Sequence, residues 1–254
     1  VKADVVFHAA AYKHVPMMEE NPVAAIENNV LGTENLINAC RASQVKRLVL
    51  VSTDKAVDPA SVYGISKRLC EELILAAGNQ DGQQNKSPGT DCRYMVVRFG
   101  NVLGSRGSIV PLFQRQIETG GPLTVTHPDA KRWFMTIPEA CSLVLKAGGV
   151  GENGSLYLLD MGEPVIIREL AEQMISFYGF KAGEDIPIEY IGLRPGERLE
   201  EKLWSAEEAP FQTKYKGIQQ ARKTQRHEGI DILMQELRDI CRLNPSRPEA
   251  YRDR

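Results

Sequence analysis

The sequence has no long hydrophobic run and no excess of either charge. Its longest apolar runs, ADVVFHAAA and RLVLVS, fall well short of the roughly 20 residues that a bilayer-spanning helix needs. Lys and Arg together number 31, and Asp and Glu 33, which gives a net charge of −2. Nucleic-acid-binding domains usually carry a basic patch, and this balance offers none. We therefore predict no membrane segment in this chain and no nucleic-acid partner.

The cysteines and histidines form no ligand pattern. The five cysteines are scattered along the chain, without the Cys-x-x-Cys spacing of a zinc or redox site. They indicate reduced thiols rather than disulfides. The four histidines show neither His-Glu-x-x-His nor another paired spacing. We predict that the protein holds no metal.

A glycine-rich nucleotide turn is missing from the position where a dinucleotide-binding fold needs it. The one literal Gly-x-Gly-x-x-Gly, GVGENG at 149–154, follows a predicted helix and precedes a predicted strand, which is the reverse of the required order. We interpret it as a connector. The chain also begins with Val1 and enters a buried strand within a few residues. We therefore expect a piece of a longer protein, inactive by itself, that lacks the first strand–helix–strand units of its domain.

What the sequence does contain is an alternation of strand and helix patterns. Runs rich in Val and Leu at 3–10, 46–53 and 92–102 are typical of parallel strands buried on both faces. Apolar residues at helical spacing occupy 21–43, which opens with Asn-Pro, and 61–78. This order predicts an α/β fold: the C-terminal part of a doubly wound, Rossmann-type parallel sheet, joined by a smaller α/β subdomain.

The pattern changes along the chain and suggests separate regions. Residues 1–104 are predicted to be a partial dinucleotide-binding domain. In 105–204 helices alternate with short strands, which predicts a substrate-binding subdomain interleaved with the first. Residues 205–254 are predicted to be a helical tail that ends in an amphipathic helix at 229–243. The apolar stripe of that helix is predicted to contain Ile230, Leu233, Leu237 and Ile240.

The second predicted strand ends in the polar sequence Ser52-Thr53-Asp54-Lys55. Ligands of doubly wound sheets lie beyond the carboxyl ends of the strands, so these side chains are predicted to border a ligand site. Within a regular strand, neighbouring Asp54 and Lys55 would face opposite ways, whereas in a loop both can turn toward one ligand. A solvated corner ion pair is the alternative reading.

Tyr63 and Lys67 lie one turn apart on the next predicted helix. A nearby ammonium stabilises tyrosinate, so we expect Lys67 to lower the pKa of Tyr63 and make it a usable base. This spacing alone is weak, since roughly 0.4 matches are expected by chance. It gains weight beside Asp54 and Lys55, because together these groups supply a base for hydride chemistry and a separate acid/base pair.

The segment GNVLGSRGS at 100–108 follows a strand and opens a helix. Unpaired backbone N–H groups at a helix start, with Arg106 beside them, suit a phosphate group. We interpret this loop as an anion site. A flexible turn without a ligand is the alternative.

Several longer blocks carry a resemblance to a known family. HAAAYKHVPMMEENP, NNVLGT, STDKAV, YGISK, RFGNVLGSRGS, GGPLTVTHPDAKRWFMTI, LDMGEPV and GLRPGERL resemble, in this order, the bacterial nucleotide-sugar 4,6-dehydratases of polysaccharide biosynthesis, which are extended short-chain dehydrogenases/reductases. The resemblance runs from residue 1 to about 204. It implies UDP-N-acetylglucosamine as substrate, a tightly bound and recycled NADP or NAD, and a 4-keto-6-deoxy sugar as product.

The resemblance also implies a role for each candidate catalytic residue. Tyr63, assisted by Lys67, would take the proton of the sugar 4-hydroxyl while hydride leaves carbon 4. Lys55 would then abstract the proton of carbon 5, and Asp54 would protonate the departing 6-hydroxyl. Thr53 would hydrogen-bond the 4-oxygen. One departure concerns Tyr63, because the large membrane-anchored members of the family often carry Met there, and smaller members carry Tyr.

Binding residues follow from the same blocks. The residues expected to line the cofactor are Ala9, Ala10, Asn29, Ser52, Tyr63 and Lys67. The residues expected to hold the UDP-sugar are Lys13, His14, Asn101, Ser105, Arg106, Arg132, Arg194 and Glu197. The resemblance further implies a homo-oligomer in the cytoplasm, with the full-length parent at the inner face of the membrane through a missing N-terminal region.

Two other functions stay open at this point. A nucleotide-sugar 4-epimerase would use Tyr63 and Lys67 but has no need of Asp54 beside Lys55. A binding module would keep the nucleotide-sugar pocket without turnover.

Overall fold

The computed structural model describes residues 2–82, 92–105, 107–223 and 229–244. Over these residues the strands are β1 (Val5–His8), β2 (Arg47–Thr53), β3 (Arg93–Phe99), β4 (Asn101–Val102), β5 (Leu123–Val125), β6 (Lys131–Arg132), β7 (Phe134–Met135), β8 (Ser155–Leu159), β9 (Val165–Ile166), β10 (Ile188–Tyr190), β11 (Glu208–Gln212) and β12 (Ile218–Lys223). The helices are α1 (Val15–Glu20), α2 (Pro22–Ala25), α3 (Gly32–Ala42), α4 (Val62–Gly82), α5 (Ile109–Glu118), α6 (Ile137–Val150), α7 (Ile167–Phe177) and α8 (Ile230–Leu243).

A six-stranded sheet forms the centre of the fold, in the spatial order β1-β2-β3-β8-β12-β11. The first four strands run parallel, and β12 and β11 are added antiparallel at one edge. Smaller parallel pairs, β4 with β7 and β5 with β10, lie beyond it. The prediction of a parallel, Rossmann-type α/β sheet is confirmed.

The two middle strands are apolar on both faces because helices cover both faces. Leu50 of β2 and Val96 of β3 point to one side, into a core shared with α3, α4 and α8. Val49 and Val97 point to the other, into a core shared with α6. A third core joins α5 and α7 to β5 and includes Phe113. Because side chains alternate across β2 and β3, the cores on the two faces of the central sheet form separate layers.

Two sequence predictions about the C-terminal half are wrong. Residues 208–212 and 218–223 are strands of the central sheet rather than part of a helical tail. Strand β8, expected in the smaller subdomain, lies in the central sheet as well. The sequence of β12 is mostly polar, so it shows no strand pattern. Its buried residues Ile218 and Ala221 enter opposite cores.

Helix α8 packs on the central core through most of the predicted stripe, because Leu237 is buried and Ile230 and Leu233 are partly buried against that core. Met234, Leu237 and Cys241 are buried, whereas Ile240 is 44% exposed. The predicted helix at 21–43 is also interrupted, since a π-helical stretch at Ile26–Leu31 joins α2 to α3. Such stretches frequently occur at functional sites.

A buried ion cluster ties the sheet to its surroundings. The guanidinium of Arg98, on β3, donates to both carboxylate oxygens of Glu71, on α4, at 3.0 and 2.6 Å. It also donates to Glu208, on β11, at 2.7 and 3.1 Å. Burial alone would lower the pKa of Arg98, but the charges and hydrogen bonds of the two carboxylates outweigh it and raise that pKa. The cluster reaches the predicted site, because the Ser52 hydroxyl donates to Glu71 at 2.6 Å.

We predict that Glu208→Gln lowers the free energy of unfolding by about 3 kcal/mol, because it leaves a buried guanidinium with one carboxylate fewer. Burial would raise the pKa of Glu208, but Arg98 lowers it from 4.5 to about 2. The charged carboxylate thus contributes stability that is fully present above pH 4.5 and lost as the pH falls toward 2. Urea unfolding of the full-length protein above and within this window measures both effects.

The matched control is Glu236→Gln, an exposed glutamate on α8, which we expect to change stability by less than about 0.5 kcal/mol. Equal unfolding curves for the two variants would contradict a stabilising role of the cluster.

Candidate functional site

The predicted catalytic residues lie where β2 ends and α4 begins. A short 3₁₀ turn, Asp54–Ala56, follows the strand, and the Thr53 hydroxyl caps it by accepting a hydrogen bond from the backbone N–H of Lys55 at 3.4 Å. Helix α4 starts at Val62 and carries Tyr63 and Lys67 on its first two turns. The turn therefore places the acid and the amine beside the phenol, as the sequence predicts.

A cavity of about 570 Å³ opens at this edge of the sheet. It brings together residues from the strand ends, from α4, and from the loops of the smaller sheets. The predicted residues that line it are Ala9, Lys13, His14, Ser52, Thr53, Lys55, Tyr63, Lys67, Asn101, Ser105, Arg132, Arg194 and Glu197.

Other predicted residues lie elsewhere. Ala10, Asn29 and Asp54 are not among the residues that line this cavity, and Arg106 lies outside the described residues. The Asn29 side chain is buried and bonds both backbone groups of Tyr12, at 2.7 and 3.0 Å, and the Ser66 hydroxyl at 2.9 Å. These hydrogen bonds connect the backbone at Tyr12 to Ser66 on α4.

The pKa of the Tyr63 phenol is raised, whereas the sequence predicts that it is lowered. The residue is only 8% exposed, and burial raises the pKa of its phenol well above the ordinary value, helped by the charge of Asp54. A hydrogen bond with Thr53 lowers that pKa and offsets part of this rise. Lys67, expected to lower it, donates from Nζ to the carbonyl of Val51 at 2.9 Å, and burial lowers its own pKa. The prediction considered charge and omitted desolvation, which dominates here.

Lys55 is surrounded by hydrogen-bond acceptors. Its Nζ lies 3.0 Å from Oδ1 of Asp54, 3.4 Å from Oδ1 of Asn101 and 3.9 Å from Oε1 of Glu201. Sequence analysis missed Glu201. The chain has Glu at 200 and 201, and nothing in that pair indicates which one turns inward.

Asp54 is fully buried, and its two carboxyl oxygens have different environments. Oδ1 accepts from the Thr53 hydroxyl at 2.8 Å and from Lys55 at 3.0 Å. Oδ2 has no hydrogen-bond partner among the described residues. Thr53 and Lys55, which both line the cavity, therefore connect the buried carboxyl to it.

The loop before α5 borders the cavity as predicted. Ser108 caps α5 without a side-chain hydrogen bond, so backbone N–H groups of the first turn stay available to an anion. Lys13 lies near, with Nζ 3.5 Å from the Ser105 hydroxyl. Gly107 has a φ of +68°, and a Cβ there would collide with the imidazole of His14. Glycine at this position lets the histidine approach the loop.

Arg132 and Arg194 occupy different positions on the cavity wall. The Arg132 guanidinium donates to the carbonyls of Leu199 at 2.9 Å and Arg198 at 2.8 Å, so it anchors that segment as well as bordering the cavity. Arg194 is exposed, and its backbone N–H donates to the Glu197 carboxylate at 3.2 Å.

The part of the chain that the structure describes contains neither a candidate metal site nor a candidate membrane helix. Within residues 2–82, 92–105, 107–223 and 229–244, His, Cys, Asp and Glu form no group of three that could hold a metal ion. No helix in this same described part is both long and apolar enough to cross a bilayer.

The parallel sheet and the cavity at its carboxyl edge together define a Rossmann-type α/β domain, with the Tyr-x-x-x-Lys pair on the helix that borders the cavity. Residues 1–223 match the model of the family described as polysaccharide biosynthesis protein. The chain belongs to this family.

Relatives and solved structures agree with this placement. The chain is 46% identical, over 93% of its length, to a capsular polysaccharide biosynthesis protein, CapD, of Staphylococcus aureus, and spans 38% of that protein. It is 40% identical, over 81% of its length, to a UDP-glucose 4-epimerase of Rickettsia typhi, of which it spans 57%. The chain thus covers between about a third and three fifths of these curated relatives.

Among solved structures, Pen from Bacillus thuringiensis has a TM-score of 0.78 and 33% identity, with 96% of this chain and 76% of that chain covered. A dTDP-glucose 4,6-dehydratase from Streptomyces venezuelae, DesIV, solved with NAD bound, has a TM-score of 0.69 at 23% identity, covering 79% and 64%. This second likeness shows the fold alone.

The cavity depends on close packing behind Asp54, which leads to a prediction for Gly100. A Cβ on Gly100 would lie 2.7 Å from the Cβ of Trp133 and 3.3 Å from Oδ2 of Asp54. We predict that Gly100→Ala lowers the free energy of unfolding by about 1–3 kcal/mol through overpacking, measured by urea unfolding.

The control is Gly149→Ala, because a Cβ there meets nothing within 4 Å and alanine is favoured over glycine in a helix. If Gly100→Ala were as stable as Gly149→Ala, the packing described here would be wrong.

Proposed function

We propose that this chain carries the catalytic edge of an NADP- or NAD-dependent UDP-N-acetylglucosamine 4,6-dehydratase, a lyase that makes a 4-keto-6-deoxy amino sugar for a capsule- or O-antigen-type polysaccharide. The observation that carries the proposal is the pairing of Lys55 with Asp54, 3.0 Å apart, beside Tyr63 at one cavity. Oxidation alone needs a phenol base, whereas loss of water needs a second base and an acid.

The residues present fit the nicotinamide end of such a cofactor. Ala9, Ser52, Tyr63 and Lys67 line the cavity at the ends of β1 and β2 and on α4. When bound, a nicotinamide cofactor would supply the acceptor for the hydride of carbon 4 and return it to carbon 6. A glycine-rich turn for the pyrophosphate does not occur in its required context in these 254 residues.

Tyr63 acts first in the proposed sequence. Its phenolate would take the proton of the sugar 4-hydroxyl, while Thr53, which hydrogen-bonds the phenol, orients the 4-oxygen. Because burial and Asp54 raise the pKa of Tyr63, positive charge near the phenol is needed to make it a base. The Lys67 ammonium, one turn away, is the positive group that this chain supplies.

Lys55 and Asp54 would carry out the elimination. The ketone at carbon 4 acidifies the proton of carbon 5, which passes to Nζ of Lys55. The electron pair of that bond forms the double bond between carbons 5 and 6 as the 6-hydroxyl leaves, and the proton of Asp54 completes the water. When hydride is returned to carbon 6, Lys55 would return a proton to carbon 5. Asp54 is buried behind Thr53 and Lys55, and because Lys55 accepts the carbon-5 proton, the proton of Asp54 would reach the cavity through the Thr53 hydroxyl.

The far side of the cavity is suited to a nucleoside diphosphate. The helix start at Ser108 offers backbone N–H groups, and Lys13, Arg132 and Arg194 add positive charge to the lining of the cavity. Arginine pairs with phosphate through its forked donors. These groups support a UDP-sugar as the substrate class, with the sugar directed toward Lys55 and Tyr63.

A 4-epimerase is the second candidate function. The 40% identity to a UDP-glucose 4-epimerase of Rickettsia typhi favours it, and its chemistry also requires Tyr63 and Lys67. It has no step for which Asp54 and Lys55 must lie together.

Proton NMR of the full-length protein with UDP-N-acetylglucosamine and NADP⁺ in deuterated water tests the proposal. We predict loss of the carbon-5 proton and a new 6-methyl signal. Lys55→Ala should lower both by about 10²–10⁴-fold, because a positioned acid/base group contributes that much. Lys181→Ala, which removes an exposed lysine paired with Glu184, should leave both unchanged.

Each other outcome points to a different function. Formation of the galacto epimer without a methyl signal would establish the epimerase. Tight binding of the nucleotide sugar without any conversion would establish the binding module.

A further inference from the structure

Residues 198–202 cross the catalytic turn, and we call them the strap. The Arg198 guanidinium donates to the carbonyl of Val57 at 3.1 Å, and Lys202 pairs with Asp58 at 3.3 Å. The indole N–H of Trp133 donates to the carbonyl of Glu201 at 3.1 Å. The strap is therefore held at both ends to the turn that carries Asp54 and Lys55, with Glu201 fixed between those ends.

Glu201 differs sharply from its neighbour in the strap. The Glu201 side chain is 6% exposed, and its carboxylate lies 3.9 Å from Nζ of Lys55. The Glu200 side chain is 61% exposed and pairs with Lys131 at 2.8 Å. A carboxylate is costly to bury without a partner, so the position of Glu201 is explained by the ammonium group it faces.

We propose that Glu201 is a positioning residue for Lys55. It holds Nζ toward the cavity and stabilises the positive charge that develops there when Lys55 takes the proton of carbon 5. The inference rests on the proposed function and adds a residue to it. Asp54 enters this step as the proposed acid and therefore carries no charge when proton transfer to Lys55 begins, and Asn101 is uncharged. Carboxylates fixed where charge develops act without reorganisation.

Three variants of the full-length protein test this inference. Glu201→Gln keeps the shape of the side chain and removes its charge. Glu201→Asp keeps the charge but moves the carboxylate away from Nζ of Lys55. Glu200→Gln is the control. The change in nicotinamide absorbance on adding UDP-N-acetylglucosamine reports oxidation at carbon 4, and solvent deuterium entering carbon 5 reports proton transfer to Lys55.

We expect Glu201→Gln to slow carbon-5 exchange roughly 10- to 100-fold, the range expected for a displaced catalytic group, with oxidation changed less than about twofold. Glu201→Asp should recover part of the exchange, and Glu200→Gln should match the wild type. Equal losses in oxidation and exchange would mean a structural role and would overturn the inference. Unchanged exchange in Glu201→Gln would overturn it as well.

Acylation of Lys55 by acetic anhydride, followed by peptide mass spectrometry, needs no substrate. We expect faster acylation in Glu201→Gln than in the wild type and Glu200→Gln, because one group that holds Nζ is gone. If the wild type exchanges the carbon-5 proton normally but Lys55 is acylated at equal rates in all three proteins, the role of Glu201 is overturned while the proposed function stands. Absence of carbon-5 exchange in the wild type would overturn the proposed function and, with it, the catalytic role of Glu201, while the acylation rates would still report the contact.

Discussion

The buried guanidinium of Arg98 is the constraint on which the rest of the site depends. A charge that is fully buried must be paired, and its partners come from different parts of the chain. Glu71 belongs to α4, which also carries Tyr63 and Lys67, and Glu208 opens β11, just beyond the strap. Because Glu71 also accepts from Ser52, one ion cluster fixes the strand end, the catalytic helix and the C-terminal segment relative to one another. The distances around Lys55 follow from that fixed frame.

Burial gives the two proposed bases, Tyr63 and Lys55, contrasting environments. Tyr63 is in a dry place where burial and a nearby carboxyl group raise the pKa of the phenol, so its proton is released only when positive charge lies close. Lys55 is partly exposed and has acceptors on several sides. Burial thus favours the neutral phenol, while hydrogen-bond acceptors hold the amine in position. This division suits a reaction in which oxidation must precede elimination.

Local patterns allowed much of this site to be predicted from the sequence, whereas long-range contacts did not. The alternation of apolar runs identified the parallel strands, and the rule that ligands lie at their carboxyl ends placed Thr53, Lys55 and Tyr63 together. By contrast, β12 pairs with β8 across some sixty residues of chain, and its few buried residues leave no strand pattern. Glu201 reaches Lys55 from still farther along the chain, beside an exposed twin. The direction in which the pKa of Tyr63 shifts depends on burial, which a sequence motif does not reveal.

The two buried carboxyl groups around Lys55 are the physical basis on which we propose elimination rather than epimerisation. Desolvating a carboxylate costs several kcal/mol, which an ion pair recovers only with good geometry. The side chains of Asp54 and Glu201 are 0% and 6% exposed, and both face the same ammonium. An enzyme that only oxidises and reduces carbon 4 gains nothing from this arrangement, because no proton passes through Lys55. In the proposed dehydratase, the gain comes at the step where a carbon acid gives up its proton, since the charge formed on Nζ meets the Glu201 carboxylate, which is already desolvated and in place. The cost of burying both groups is therefore consistent with the proposed reaction, in which Lys55 becomes charged.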